Sequence, residues 1–429
     1  MKILRLALLG ALLPFAPLPA AVKVDGQNGK FTLLVDGQPF FIKGVTYAGG
    51  SDAAQIERDL QEIKNLGANT IRNWGCNDED TPKLLAAAEK VGLKVMLGLW
   101  LRHGRPGAED DDSFNWVSDT AGREKQMADT IRYVEAFKNS PALLCWGAGN
   151  EVILNIETEE EKVAYAKFLE LVAQEVKKRD PNHPVASVSA WVIDWPYWEK
   201  YCPSLDIYAS NVYGYAAAAI PDEAKKLGVK KPYMITEFGV RGEWEIQPDA
   251  NGVKLDPGDK ERYEVIASGW KDLIEAKRPL CLGAFVFHFS DSFDHTSLWL
   301  AFKSQGAIRP PYWATRKAFL GEDPKNWPPE IGDFMISKST EAKKPGAWTR
   351  VRLELKDQEK DPVEVQFAYL KRDGWRDTSV EMLSHTVSDR EGQYWVKMPE
   401  TEGVFKLYAF ARDSYPNLSV AVISAKTAK

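Results

Sequence analysis

The sequence predicts a (β/α)8 TIM barrel followed by a small C-terminal antiparallel β-sandwich, an α/β fold class that three observations support. Eight strand-like apolar runs alternate with helical segments over roughly 300 residues, the rhythm of a closed parallel barrel. No Gly-rich phosphate loop follows the first run, which counts against an open doubly wound sheet. From about residue 333 the texture changes to short stretches in which apolar and polar residues alternate. With 429 residues, 44% of them apolar and 27% charged, the chain can hold one large domain and a smaller one.

Residues 1–21 read as a signal peptide. Lys2 and Arg5 give a charged start, residues 6–18 are apolar and broken by prolines, and Ala20 and Ala21 offer small residues for cleavage. That stretch is too short for a good bilayer span, and no later segment qualifies, so a secreted or periplasmic protein is expected. The barrel is expected over residues 22–332. It opens with a hairpin turning at Asp36-Gly37 that runs into the first barrel strand. Ile56, Leu60 and Ile63 then fall at helical spacing in residues 51–66, and Gly67 stops that helix. The strand ANTIRNWG, a helix over 81–91 closed by Gly92, and the strand LKVMLGLWL follow. An acidic loop and a helix over 123–138 lead into LLCWGAGNE, and a helix over 157–178 into HPVASVSA. LDIYASNVYG, a short helix at 221–227, PYMITEFG, a helix over 261–276 and LGAFVFHFS complete the series. A linker over 327–344 then leads into an immunoglobulin-like sandwich over residues 333–429, with five alternating segments ending in LSVAVISAK.

Net charge of −6 leaves no electrostatic footprint for nucleic acid or an anionic membrane. Fifteen tryptophans and fifteen tyrosines supply planar rings of the kind that stack on sugar faces, although most rings of any protein serve its core. The four cysteines, at 76, 145, 202 and 281, show no paired metal-ligand spacing. Cys145 and Cys281 lie in apolar runs, where a thiol acts as a small hydrophobe; a Cys76–Cys202 disulfide is the lesser expectation.

A barrel gathers its chemistry where strands end. Those positions hold Tyr47 after strand one, Arg72, Asn73 and Trp74 after strand two, and Trp100, Arg102 and His103 after strand three. Asn150 and Glu151 close strand four, Trp191 follows strand five, Asn211 and Tyr213 close strand six, and Glu237 closes strand seven. His288, Ser290 and Asp291 stand at strand eight. Two carboxylates on one rim suit glycoside hydrolysis, in which one protonates the leaving oxygen and the other attacks the anomeric carbon. A buried cation such as Arg72 would hold one acid charged and in place. Among the remaining candidates, the acidic run 109–112 is a solvated loop before it is a calcium site. Glu243 and Glu245 read as solvent-facing charges. Trp195 and Trp198 read as sugar-stacking rings before they read as packing of the loop after strand five, and Trp74 and Trp299 are similar, while His103 and His288 are either subsite residues or satisfied barrel histidines.

WGAGNEV after strand four, with ITEFG after strand seven, resembles the acid/base and nucleophile motifs of glycoside hydrolase clan A. FFIKGVTYAGG, LGANTIRNWG and KNSPALLCWGAGNE are most similar to the catalytic barrel of glycoside hydrolase family 2, with partial likeness to families 5, 17 and 72. The resemblance implies a retaining β-glycosidase in which Glu151 is the acid/base and Glu237 the nucleophile. Asn150, Arg72, Tyr213, Asn211, Trp74, Trp100, His103, Trp191 and His288 are the substrate-binding candidates. It implies no metal and no organic cofactor. Two departures stand out: Phe287 and His288 occupy the end of strand eight, where the clan carries a tryptophan, and the sandwich domains that precede the barrel in family 2 are absent from this sequence. The expected partner is a β-linked glucan or oligosaccharide, with no nucleic acid and no membrane span, and no feature sets an oligomeric state. A transglycosylase using the same two glutamates and a non-catalytic carbohydrate-binding barrel are the alternatives.

Overall fold

In the computed structural model, which describes residues 21–103, 114–291, 301–371 and 380–429, the eight apolar runs form the expected strands. They are β1 (Ile42–Thr46), β2 (Thr70–Arg72), β3 (Lys94–Leu99), β4 (Leu143–Asn150), β5 (Val185–Ala190), β6 (Ile207–Asn211), β7 (Tyr233–Phe238) and β8 (Cys281–Val286). They pair in parallel in sequence order, and β8 closes the barrel on β1 with Gly283 opposite Ile42 and Val286 opposite Val45. All residues of β4, β7 and β8 are buried, which is why these strands read as continuous apolar runs rather than alternating ones. Gly44 makes the closure possible, because a Cβ there would stand 2.3 Å from the Phe285 ring that fills the interior.

The helices follow from their caps and spacing. Asp52 caps α1 (Ala53–Asn65), accepting from the Ala54 amide, and Ile56, Leu60 and Ile63 face the barrel. Helix α2 (Thr81–Val91) stops at Gly92 in the left-handed conformation, φ +77°. After α3 (Thr120–Phe137) comes α4 (Glu159–Arg179), capped by Thr158, with Glu159, Glu160 and Glu161 in its first turn and Lys177, Lys178 and Arg179 in its last, matching the helix dipole. Three elements depart from expectation. Trp195–Tyr201 is a helix, α5, and not loop. After α6 (Ile220–Leu227), the helix expected over 261–276 is α7 (Asp259–Ala267) continued by a π-turn at Trp270–Ile274. Pro310–Leu320 forms a last helix, α8, whose proline start suits a first turn.

Strands Val22–Gln27, Lys30–Val35 and Gln38–Phe40 make an antiparallel sheet, joined at Asn28-Gly29 and Asp36-Gly37, all four with positive φ. Its Val22, Phe31 and Leu33 pack with Met96, Leu144, Ile207 and Met234, closing the base of the barrel. Beyond the barrel stand two four-stranded antiparallel sheets. One orders Glu330–Ile336, Trp348–Lys356, Gln393–Lys397 and His385–Val387; the other orders Glu381–Leu383, Glu364–Lys371, Gly403–Arg412 and Leu418–Thr427. They share a core that includes Val351, Leu353, Phe367 and Leu407. The stretch expected as a linker therefore contains a strand, Glu330–Ile336, and the expected boundary at 332/333 falls inside it. Its alternation is interrupted by Gly332 and a register shift, which hid it.

These sheets are fastened to the barrel at charged groups. Lys406 Nζ lies 3.0 Å from Asp256, Tyr408 donates to the same carboxylate at 3.1 Å, and Asp259 accepts from the Val420 amide at 2.6 Å. Trp313 of α8 donates to Asn417 at 2.8 Å. No helix among the described residues is long and apolar enough to cross a membrane. All of the expected leader (1–21) but Ala21, the acidic run (109–112) and Trp299 lie outside the described residues, as does the side chain of Glu243.

Candidate active site

Burial of the strands leaves their C-terminal ends as the place where polar side chains converge. Arg72, the last residue of β2, points across the mouth and is 2% exposed. Its Nη1 donates to Glu237 Oε1 at 2.9 Å and to the Thr236 carbonyl at 3.0 Å, and its Nη2 donates to Asn150 Oδ1 at 2.7 Å. Glu237, on β7, also accepts from Trp74 Nε1 at 2.9 Å on Oε1 and from the Tyr213 hydroxyl at 2.6 Å on Oε2. Three donors on two oxygens fix this carboxylate in one orientation. Burial, then the charges of Glu237 and Glu151, push the Tyr213 phenol well above its ordinary pKa, so it serves as a proton donor to the carboxylate.

Glu151 stands in a different setting. It follows the last residue of β4 with φ +52°, a left-handed conformation that costs a non-glycine residue about 1 kcal/mol or more and persists only where its surroundings impose it. Those surroundings are visible. Its amide donates to the Val188 carbonyl of β5 at 2.9 Å, and its Oε1 accepts from Asn211 Nδ2 at 2.7 Å. Asn211 joins the two acids: its Nδ2 also reaches Asn150 Oδ1 at 3.1 Å, while its Oδ1 accepts from Thr236 at 2.9 Å and faces Arg72 Nη1 at 3.4 Å. Arg72, Asn150, Asn211, Glu151 and Glu237 thus form one hydrogen-bonded group. Asn150 Oδ1 receives both Arg72 and Asn211 and so ties the two acids' supports together.

The other expected residues divide. Trp74 lies at the mouth, under the Arg72 guanidinium at 5.1 Å, and with Tyr213 it meets the Phe287 ring edge to face at 6.0 and 6.1 Å. Phe287 thus sits between the two rings at the end of β8. His288 packs beside Phe287 and lies 3.3 Å from the Ser290 hydroxyl. Trp191 is half-buried, with φ +54° and its amide on the Asn211 carbonyl. Trp100 stacks on His103, ring centroids 5.0 Å apart. His103, expected to meet substrate, is fully buried instead. The Asn155 amide donates to its Nδ1 at 2.9 Å, so Nε2 carries the proton and donates to the Asn150 carbonyl at 2.8 Å; His103 braces the strand end from behind. Tyr47 is likewise turned inward, to Asp59 at 2.8 Å.

Trp195 and Trp198 are corrected outright. Both are fully buried and packed around Tyr208 on the flank of the barrel, with no face open to a sugar. Their spacing of three, followed by buried Cys202, is the face of a helix, a signal that the Pro196 start could have revealed. Glu245 is exposed, as expected. All four cysteines are free; Cys76 and Cys202 point their thiols at the Gly98 and Ala166 carbonyls. Two residues escaped the sequence reading. Asn155 holds His103, as above, and Trp244, 58% exposed, stands edge-on to Tyr213 at 5.6 Å. Neither carries a pattern, since both lie in single 3₁₀ turns after strand ends, too short for a periodicity. Among the described residues one carboxylate cluster has metal-ligand spacing, Asp357, Asp361 and Asp413, and it belongs to the C-terminal sheets, bonded to Asn326 and Asn417.

The family model of the glycosyl hydrolases family 2 TIM barrel domain matches residues 27–244. Among solved structures, the apo form of Bacteroides uniformis β-glucuronidase 3 aligns over 95% of this chain and 51% of that one, with 15% identity and a TM-score of 0.51, a likeness of fold alone. Among curated proteins, the probable 1,3-β-glucanosyltransferase GAS3 of Saccharomyces cerevisiae is 25% identical over 36% of this chain. The 1,3-β-glucanosyltransferase GAS4 of the same yeast is 26% identical over 33% of it. The matched parts make up about a third of those two relatives, 31% and 32%. The family model covers just over half of the chain, and the chain belongs to glycosyl hydrolase family 2.

Proposed function

We propose that the protein is an exported retaining β-glycosidase that cleaves a β-linked glucan or oligosaccharide through a glycosyl-enzyme. The observation that carries this reading is the unequal setting of two glutamates within one hydrogen-bonded group. Glu237, gripped by a guanidinium, an indole and a phenol, is the nucleophile: orientation toward one carbon is what direct attack requires. Glu151, bonded to the neutral Asn211 amide on a turn at the strand end, is the acid that protonates the leaving oxygen and then the base that activates water. The Asn150 oxygen is engaged by Arg72 and Asn211, so its NH2 is the end that meets a sugar hydroxyl. Phe287, Trp74 and Trp244 offer the apolar surface for ring faces. Two glutamates and water complete the cycle. Residues 1–21 direct export, and the C-terminal unit, an immunoglobulin-like sandwich starting by residue 330, braces the barrel.

Proton NMR of the first-formed product from aryl β-glycosides and β-glucans tests the reading. The expected result is an initial β-anomer; an initial α-anomer, or no turnover across glucosides, mannosides, galactosides and uronides, overturns it. A transglycosylase is the second reading, favoured by the likeness to two yeast proteins named as 1,3-β-glucanosyltransferases. It predicts products longer than the substrate at high oligosaccharide concentration.

A further inference from the structure

The loops after the first two barrel strands hold a recess one residue away from Trp74, the indole on Glu237. The loops that follow β1 and β2 enclose a cavity of about 290 Å3, with residues 48–51 on one wall and Asn73, Gly75, Asn77 and Asp80 on the other. That volume stands at the small end of ligand pockets, which run from about 300 to 1,000 Å3.

Of the cavity's three glycines, Gly49 is required by its left-handed φ of +87°, but Gly50 and Gly75 are not explained by the fold. Gly98, below it, is forced, because a Cβ there would strike the Trp74 carbonyl carbon at 2.1 Å. Gly50, in contrast, has no left-handed φ, and a Cβ on it would meet nothing within 4 Å. Gly75 is similar, with only Trp100 Cβ at 3.4 Å. Neither the backbone nor packing requires these two positions to lack a side chain; what their bareness does is leave the recess open. The walls also carry both kinds of hydrogen-bonding group. The amides of residues 48–51 donate to no backbone or side-chain acceptor among the described residues, whereas Asp80 supplies a carboxylate that Lys83 partly neutralises at 3.1 Å. Donors and acceptors interleaved in a small open recess suit a ring of hydroxyl groups, each of which donates and accepts.

Its position links it to the reaction centre. Asn73 lines the cavity, accepts from the Gly98 amide at 3.0 Å and donates to the Gly75 carbonyl at 2.8 Å, and so shapes the turn that presents Trp74 to Glu237. The wall of the recess and the indole on the nucleophile are consecutive residues.

We propose that this recess is a sugar-binding subsite for a further unit of the same β-linked chain, so that the protein recognises chains longer than a disaccharide. The inference rests on the glycosidase reading but is tested by binding rather than by turnover. In a Glu151→Gln background, which stops turnover, calorimetry with β-linked di- and tetrasaccharides of glucose, mannose and galactose compares affinities. At least one tetrasaccharide is expected to bind ten-fold or more tightly than its disaccharide. Gly50→Phe should erase that gain while the disaccharide still binds, and Gly75→Leu, which fills the recess from the other wall, should do the same if Gly50→Phe fails to fold. The proposal is overturned if no tetrasaccharide gains over its disaccharide, or if the gain survives a filled recess. Hydrolysis of aryl glycosides by the unaltered protein is read separately: chain binding without any turnover would sink the catalytic reading and leave the subsite standing.

Discussion

At its base the barrel is closed by Val22, Phe31 and Leu33 packed on Met96, Leu144 and Met234; at its mouth the same strands end in Arg72, Asn150, Asn211 and Glu237. The base is held by apolar area, in which each side chain contributes its share, about 1.5–3 kcal/mol for a large one, whatever its exact partner. The mouth is held by reciprocity. Each buried polar group there is satisfied by another, and removing one leaves the rest stranded at about 1–3 kcal/mol apiece, more where a charge is orphaned. The lesson is that damage to the base should be local and thermodynamic, whereas damage to the mouth should spread and should register in chemistry.

The largest expected effect is on Glu237, the proposed nucleophile. Glu237→Gln should lower kcat by at least about 10^4-fold while near-UV circular dichroism shows a folded protein. Glu151→Ala should still cleave aryl glycosides with good leaving groups to the glycosyl-enzyme and be rescued by azide, and Glu237→Ala should show no such rescue with retention; identical behaviour would erase the distinction between the two acids. Next is Arg72→Met, which removes the cation shared by Glu237 and Asn150. We expect a loss of about 3–5 kcal/mol in denaturant unfolding, with kcat falling more than KM rises. A pure KM effect would make Arg72 a substrate ligand and not a support.

Asp194 sharpens the comparison through pH. It lies below the mouth, bonded to the Ser189 hydroxyl at 2.7 Å, and burial pushes its carboxyl up to about 7. The fold therefore prefers the protonated form, so this group's contribution declines as pH rises from about 4 to about 7 and levels off above that. The full difference is on the order of 4 kcal/mol. Asp194→Asn, which mimics the neutral acid, should flatten that decline; unfolding curves of the two proteins that run parallel from pH 4 to 8 would refute it. Phe31→Ala at the base should cost about 3 kcal/mol with kcat/KM of the folded fraction unchanged, and a drop in kcat there would break the proposed separation of the two ends. The smallest effect is Trp244→Ala, expected to raise KM several-fold, about 1 kcal/mol, at nearly constant kcat.

How much of this was legible in the sequence follows the same division. The eight strands were readable because burial on both faces writes a continuous apolar run, and their ends because a polar residue there interrupts it. The pairing of Arg72 with Glu237, 165 residues apart, came from charge and rim position together. The joint role of Asn211 could not be read, since an amide that holds Glu151 directly and meets Glu237 only through Arg72 leaves no local pattern. His103 was legible as a strand-end residue but its face was not, because a strand end has an inner and an outer side that only packing decides. Trp195 and Trp198 were misassigned for a different reason: a seven-residue helix is too short for its periodicity to outweigh the lure of clustered aromatics.

The seam between the barrel and the two C-terminal sheets has a consequence for how the molecule comes apart. Asp259 meets Arg262 at 2.7 Å and Arg309 at 3.4 Å while accepting the Val420 amide, and Asp256 holds Lys406, whose side chain is 2% exposed. Peeling the sheets away would break the Lys406–Asp256 pair, strip Asp256 of the Tyr408 hydroxyl and Asp259 of the Val420 amide, and bare the apolar surface around them, so neither half has a comfortable intermediate in which to wait. Heating should therefore produce a single calorimetric transition with a van't Hoff enthalpy close to the measured one. A protease that nicks the seam should release no persistent barrel fragment. The C-terminal sheets, which carry none of the rim carboxylates, would in this sense set the lifetime of the enzyme rather than its rate.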